Sequence, residues 1–111
     1  DPNVKINYDT ANCLYFGDTW PYEDLQIAVP ETVHIHLKDK IGGKGLWNFP
    51  PIGGGAVDFE RVLNILDDGS YQGALGVEIE FDDQGWPPLP EVDEAAMSAY
   101  RNLVQLLQPH W

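Results

Sequence analysis

Asp9, His36 and Glu78 are the residues of this sequence whose types and spacing best suit metal chemistry. Each lies at the same phase of a segment in which apolar and polar residues alternate. A carboxylate, an imidazole and a second carboxylate form a mixed oxygen and nitrogen donor set that suits Mn²⁺, Mg²⁺, Co²⁺ or Zn²⁺. A lone Asp is more typical of a turn and a lone His of a hydrogen bond, so the metal prediction depends on all three.

The elements that must position these residues are three predicted β-strands, at 4–9, 33–38 and 75–80. Period-two alternation is typical of strands with one apolar and one polar face. Between and after the strands we predict a short helix to about Ala28, a helix capped by Asp58, and a long helix over 91–107. The long crossovers favour parallel strands and an α/β fold, because an antiparallel pair needs only a tight turn.

In a parallel α/β barrel, the outward face of each strand is apolar and packs under helices. The inward face builds the active site near the C-terminal strand ends. This geometry predicts that Asp9, His36 and Glu78 converge on one point. Glu80 shares their inward phase but is also typical of a solvated side chain. Three strands alone form a poor sheet with two unpaired edges, so we expect further strands to complete it.

Other residues on or near these strands each have a functional and a structural interpretation. His34 and Lys38 share the inward face, so they could bind substrate oxygens; a buried hydrogen bond for His34 and a salt bridge between Lys38 and Asp39 are equal alternatives. The glycine run 53–55 could bind a phosphate, but without Lys-Ser/Thr it is more typical of a flexible turn. Four loop aromatics could stack on a sugar or pack within the loops: Trp20, Trp47, Phe49 and Trp86.

The composition restricts the partners. Six Lys+Arg against 18 Asp+Glu give a formal net charge of −12, which argues against binding nucleic acid. No apolar run approaches the roughly 18 residues of a membrane helix, so we expect no membrane partner. Cys13 is the only cysteine, which favours a reducing compartment and predicts a cytoplasmic protein.

Four motifs resemble the xylose isomerase-like TIM-barrel family of sugar phosphate isomerases and epimerases. They are 7–12 (NYDTAN), 34–39 (HIHLKD), 53–59 (GGGAVDF) and 76–80 (GVEIE). The resemblance covers nearly the whole chain and implies strands six to eight of a (β/α)8 barrel. Residues 1–111 would then form a single partial domain, the C-terminal βαβαβα part of that barrel.

The resemblance also implies a site and a reaction. In that family Glu, Asp, His and Glu from the last four strands hold the metal, and Asp9, His36 and Glu78 match the last three. The first Glu would lie upstream of this chain. Glu78 would be ligand and acid/base in a proton transfer through an enediolate of a sugar or sugar phosphate. Asn12 stands where many members have a substrate-contacting His.

Two competing functions remain at this level. One is an endonuclease IV-like phosphodiesterase, against which the negative charge argues. The other is a non-catalytic remnant that self-associates or pairs with a partner chain through its open strand edges. Because the first Glu is absent, we expect the chain alone to have little or no isomerase activity, and to need the N-terminal part of a barrel or a homo-oligomer.

Overall fold

A computed structural model describes residues 1–110 as a parallel sheet with helices beside it. A 3₁₀ turn at Val29–Glu31 precedes the second strand. In chain order the elements are β1 (Ile6–Asp9), α1 (Asn12–Gly17), α2 (Glu23–Ala28), β2 (Thr32–Lys38), β3 (Asn48–Phe49), α3 (Phe59–Asp68), β4 (Ala74–Glu78), β5 (Phe81–Asp82) and α4 (Leu89–Leu107).

The main sheet has the order β1-β2-β4, and both strand pairs are parallel. The register sets Asp9 opposite His36 and Lys38 opposite Glu78. Each crossover contains a helix, as parallel strands require. The α/β class is therefore confirmed, and the open, incomplete sheet is that of a partial barrel.

The core lies between β2 and the helices. Ile35 and Leu37 of β2 are fully buried, as are Leu63 and Leu66 of α3. Asp58 begins α3 as predicted, because its Oδ1 accepts the backbone N–H of Arg61 at 3.0 Å. This pair of layers positions the C-terminal end of β2, where His36 and Lys38 lie.

The predicted cover of the outward strand faces is incomplete. Val33 is 52% exposed although Ile35 and Leu37, which share its outward phase, are fully buried. Val77 is 41% exposed, and its outward neighbours in the sequence are only partly buried. Val77 lies on β4, which is an edge strand of the described sheet. Val33 lies at the start of β2, beside a 370 Å³ surface cavity that Val29 and Tyr71 also line. The prediction that these two residues pack under helices is therefore wrong for this chain.

Two features lie in segments predicted as loops. The helix α1 follows β1 directly, and its six residues are too few to show helical periodicity in the sequence. The strands β3 and β5 form a two-stranded antiparallel ribbon with Phe49 opposite Phe81. Each strand of this ribbon has two residues and comes from a different loop. The ribbon matters for the site because it covers the end of β2.

The longest helix, α4, extends two residues beyond the N-terminal bound predicted for it and buries Ala95 and Ala99. Over residues 1–110, none of the helices combines the length and the apolarity needed to cross a membrane.

Candidate metal centre

Asp9 ends β1, and its carboxylate is held by the backbone at the start of α1. Oδ1 accepts the N–H groups of Ala11 at 2.9 Å and Asn12 at 2.8 Å. Oδ2 is buried, lacks a hydrogen-bond partner among residues 1–110, and lies 3.8 Å from Nδ1 of His36. Burial raises the pKa of this carboxyl, and the two backbone N–H groups oppose that rise. One oxygen is therefore fixed, and the other is available to a cation.

Parallel pairing brings His36 and Glu78 to the same place. His36 lies opposite Asp9 on one side and opposite Gly76 on the other. Oε2 of Glu78 lies 2.8 Å from Nδ1 of His36. One ligand atom from each of Asp9, His36 and Glu78 lies within 4.8 Å of the other two. The structure thus brings together the three residues that the sequence predicts as metal ligands.

The cluster fits a divalent metal ion in its donor chemistry. The side chains of Asp9, His36 and Glu78 are 11%, 35% and 32% exposed, so the site is shielded but reachable from solvent. Two carboxylates and one imidazole suit Mn²⁺, Co²⁺ or Zn²⁺. Within residues 1–110, the buried Oδ2 of Asp9 also lacks the hydrogen-bond partner that a buried oxygen normally has. These three residues would hold the ion.

Lys38 lies beside this cluster and is surrounded by oxygen atoms. Its ammonium forms an ion pair with Glu80. It also lies 3.4 Å from Oδ1 of Asn12, 3.6 Å from Oε1 of Glu78 and 3.9 Å from Oδ2 of Asp9. Three carboxylates therefore face one ammonium, which offsets much of their mutual repulsion.

The ribbon seals Lys38 from solvent. The ring of Phe49 lies 4.3 Å from the ammonium, and the side chain of Lys38 is only 3% exposed. The backbone N–H of Glu80 donates to the carbonyl of Phe49 at 3.3 Å, which ties the end of β4 to the ribbon. Phe81 takes a left-handed backbone conformation at this turn, with φ of 61°. Lys38 forms its ion pair with Glu80. The alternative prediction of a salt bridge between Lys38 and Asp39 is therefore wrong.

The three predicted substrate-binding residues have different surroundings. Asn12 and Lys38 lie at the cluster, where they contact each other. His34 lies two residues earlier on β2, with Nδ1 2.9 Å from Oδ1 of Asn7 and its ring 5.1 Å from that of His36. The structure therefore brings Asn12 and Lys38 to the candidate centre and pairs His34 elsewhere. Their contacts with a substrate stay predictions.

The sequence does not determine the roles of two residues at the site, Glu80 and Phe49. The sequence leaves Glu80 open between the inward phase that it shares with Glu78 and a solvated side chain; in the structure it pairs with buried Lys38. Phe49 was given equal chances of stacking on a sugar or packing within the loop. Its side chain is fully buried against Lys38, Tyr15 and Trp47, so packing is its role here.

The glycine run has a different partner from the phosphate considered above. The carboxylate of Asp39 accepts the N–H groups of Gly53 at 2.9 Å, Gly55 at 2.8 Å and Val57 at 3.1 Å, together with that of Lys40 at 2.8 Å. A Cβ at position 55 would lie 2.6 Å from the carbonyl oxygen of Lys40, so glycine is required there. Asp39 thus takes the N–H groups that a phosphate would need.

These features define a class: a segment of a parallel α/β barrel whose C-terminal strand ends hold carboxylates and an imidazole. The model of the family described as "Xylose isomerase-like TIM barrel" matches residues 1–103. The chain belongs to this xylose isomerase-like TIM-barrel family, which confirms the resemblance seen in its motifs.

Individual relatives agree with this assignment. An inosose dehydratase of Clostridium botulinum (strain Eklund 17B / Type B) is 32% identical over 94 residues, covering 71% of this chain and 31% of that protein. An inosose dehydratase of Clostridium beijerinckii is 30% identical over 111 residues, covering 86% of this chain and 36% of that protein. The chain thus spans about a third of the length of these relatives.

A crystal structure agrees as well. A xylose isomerase domain protein from Planctomyces limnophilus superposes with a TM-score of 0.82 at 28% identity. The superposition covers 98% of this chain and 39% of that one. Nearly every element described above therefore has a counterpart in a longer protein of the same family.

Proposed function

We propose that residues 1–111 are the C-terminal part of a divalent-metal-dependent enzyme that moves a proton next to the carbonyl of a sugar or related polyol. The cluster of Asp9, His36 and Glu78 carries this proposal, because a buried oxygen of Asp9, which has no hydrogen-bond partner among residues 1–110, faces the imidazole there. The protein would work in the cytoplasm. The relatives' sugar-type chemistry supports a small-molecule sugar as substrate.

The residues of this chain would divide the chemistry between them. A bound metal ion would polarise the substrate carbonyl and stabilise negative charge on its oxygen. Asp9 and His36 would hold it, while Glu78 would also accept the proton from the carbon beside the carbonyl. Asn12, whose side chain contacts Lys38 beside the cluster, would donate to a substrate hydroxyl. Returning the proton to a neighbouring carbon, or to the opposite face, gives isomerisation or epimerisation.

A dehydratase outcome shares the first step. The relatives are named inosose dehydratase, and removing a proton beside a carbonyl also prepares the loss of a neighbouring hydroxyl as water. The enzyme would then protonate the leaving hydroxyl rather than return the proton to carbon. The same three residues would serve either outcome, so the test below addresses the site and not the product.

The test is metal analysis of the purified chain after exposure to Mn²⁺, comparing wild type with Glu78→Gln. We expect close to one Mn²⁺ per chain in the wild type and loss of that ion in the variant. Glu60→Gln, at an exposed position of α3, is the matched control and should retain the ion. Light scattering of the same samples gives the oligomeric state. Absence of bound metal at every oligomeric state would contradict the proposal.

The same measurement distinguishes the metal-dependent enzyme from the alternative of a non-catalytic module that pairs with another chain. The edges of β1 and β4 are both unpaired in the described sheet, which favours association with another chain. A defined oligomer without bound metal would favour an interaction module. Metal bound by the chain, with little isomerase activity, would favour an incomplete enzyme whose remaining ligand lies elsewhere.

A further inference from the structure

The ammonium of Lys38 occupies a position that resembles a cation site. Four oxygen donors from different residues surround it: the carboxylates of Glu80, Glu78 and Asp9 and the amide oxygen of Asn12. Carboxylate and amide oxygens are the ligands that hard divalent cations prefer. In this chain the position is filled by a covalently tethered positive charge.

Two of these residues face both the candidate metal centre and Lys38. Glu78 directs Oε2 toward His36 at 2.8 Å and Oε1 toward the ammonium at 3.6 Å. Oδ2 of Asp9 lies 3.8 Å from Nδ1 of His36 and 3.9 Å from Nζ of Lys38. Carboxylates that face two cationic positions are typical of sites with two metal ions. Glu78 offers a different oxygen to each position, whereas Asp9 offers the same oxygen to both.

We propose that Lys38 is the resident second cation of this centre and restricts the protein to a single divalent metal ion. This inference rests on the proposed function, because it assumes that Asp9, His36 and Glu78 hold the first ion. A divalent ion cannot share the position with the ammonium, since like charges at such a distance repel strongly when buried. Lys38 thus determines how many metal ions the centre binds.

The surroundings of Lys38 prevent it from leaving the position. Its side chain is 3% exposed and is covered by the ring of Phe49 at 4.3 Å. Moving the ammonium into solvent would break its contact with the ring of Phe49 and leave the partly buried carboxylate of Glu80 without its partner. Losing one partner of a buried pair is costly, so the ion pair holds the lysine in place when metal is added.

The experiment counts Mn²⁺ per chain by calorimetric titration and by electron paramagnetic resonance. Wild type should bind one ion with an uncoupled spectrum. Lys38→Met should bind two, with the spin coupling of neighbouring Mn²⁺ ions, because the freed oxygens then accept a second ion. Lys38→Arg keeps the charge and should bind one. Lys44→Met, on the exposed 41–47 loop, is the matched control and should also bind one.

Two further variants distinguish a change in metal binding from a failure to fold. Lys38→Gln keeps a hydrogen-bond donor beside Glu80 and should also gain a second ion. The double variant Lys38→Met/Glu80→Gln removes both partners of the ion pair, so it should fold and bind one ion. Circular dichroism with and without Mn²⁺ reports folding, and Mn²⁺ should restore structure to any Lys38 variant that has lost it.

The outcomes distinguish the two proposals. No ion on wild type would overturn the metal centre itself and this inference with it. One ion on wild type and one on folded Lys38→Met and Lys38→Gln would overturn only the inference and leave Lys38 as a structural or substrate-binding residue. Failure of both variants to fold in excess Mn²⁺ would also overturn it, because a divalent ion should replace the lost charge.

Discussion

At the scale of single residues, the two oxygens of Asp9 perform different tasks. Oδ1 accepts two backbone N–H groups and so fixes the carboxylate relative to α1. Oδ2 is left to face His36 and Lys38. A side chain fixed by one atom loses little further freedom when the other binds an ion, which favours binding. The short helix α1 is therefore part of the site although it contributes few side chains to it.

Cys13 gives a test of the packing beside this carboxylate. Burial raises the pKa of its thiol to about 11, against an ordinary value of 9.0. The thiolate is the reactive form, so at pH 8 alkylation by iodoacetamide should be about 100-fold slower in the folded chain than in the unfolded chain. Mass spectrometry of a time course with and without urea measures this. Equal rates in the two states would show that the fold does not shield the partly buried thiol of Cys13.

The clustering of Asp9, His36 and Glu78 could be predicted from the sequence, whereas the burial of the neighbouring Lys38 could not. Alternation with period two places Asp9, His36 and Glu78 on one face, and parallel strands bring equivalent ends together. The burial of Lys38 depends on Phe49, whose position is set by a pairing between two loops. No periodicity of the sequence reports such a pairing, so an inward lysine could equally have faced a substrate.

At the scale of elements, Asp39 organises the long connection between β2 and α3. Its carboxylate accepts four backbone N–H groups, three of them from residues 53–57. Asp39 itself is fully buried. A charged acceptor that satisfies several donors holds a loop without regular secondary structure, since each donor would otherwise be buried unpaired. The glycine run is thereby fixed against the end of β2.

Replacing this carboxylate should therefore destabilise the fold. Asp39→Ala leaves up to four buried N–H groups without an acceptor, and we expect a loss of about 3 kcal/mol in the free energy of unfolding. Asp39→Asn, which keeps one oxygen, should lose less. Urea unfolding followed by circular dichroism gives the values. Asp93→Ala, at an exposed position of α4, is the control and should change stability little. A small loss for Asp39→Ala would mean that the loop is held by other contacts.

The regular elements were more predictable than the connections. The helix α3 was predicted because Asp58 and the apolar spacing of Phe59, Val62, Leu63 and Leu66 agree, and the structure confirms both. Neither β3 nor β5 could be predicted, because two residues cannot show alternation. The phosphate alternative for residues 53–55 is open at the sequence level for a similar reason. The sequence does not reveal that Asp39 accepts the N–H groups of Gly53 and Gly55.

At the scale of the whole molecule, the sheet is open at both sides. The strands β1 and β4 each have one unpaired edge among the described residues, and Val77 on β4 is half exposed. The matching structure from Planctomyces limnophilus extends well beyond the 39% of its chain that this protein covers. In a closed barrel every strand edge is paired, so the remaining strands would stabilise this segment as well as extend its site.

Completing the barrel should therefore strengthen both the fold and the metal centre. The chain can be fused to the part of the Clostridium beijerinckii inosose dehydratase that it does not cover. We expect a higher thermal midpoint, because both edges become paired. We also expect Mn²⁺ to bind at least about tenfold more tightly than to the unfused chain, because the family resemblance implies that a further carboxylate joins Asp9, His36 and Glu78. Calorimetry measures the affinity, and thermal unfolding followed by circular dichroism measures the midpoint.

The control for this fusion is the same protein with Glu78→Gln. It should show the rise in thermal midpoint, since strand pairing does not depend on that carboxylate, but not the tight binding of Mn²⁺. If wild-type and Glu78→Gln fusions bind Mn²⁺ equally, the ion is held by the added segment alone. If the wild-type fusion folds and binds no more tightly than the unfused chain, the added strands contribute no ligand to the centre formed by Asp9, His36 and Glu78.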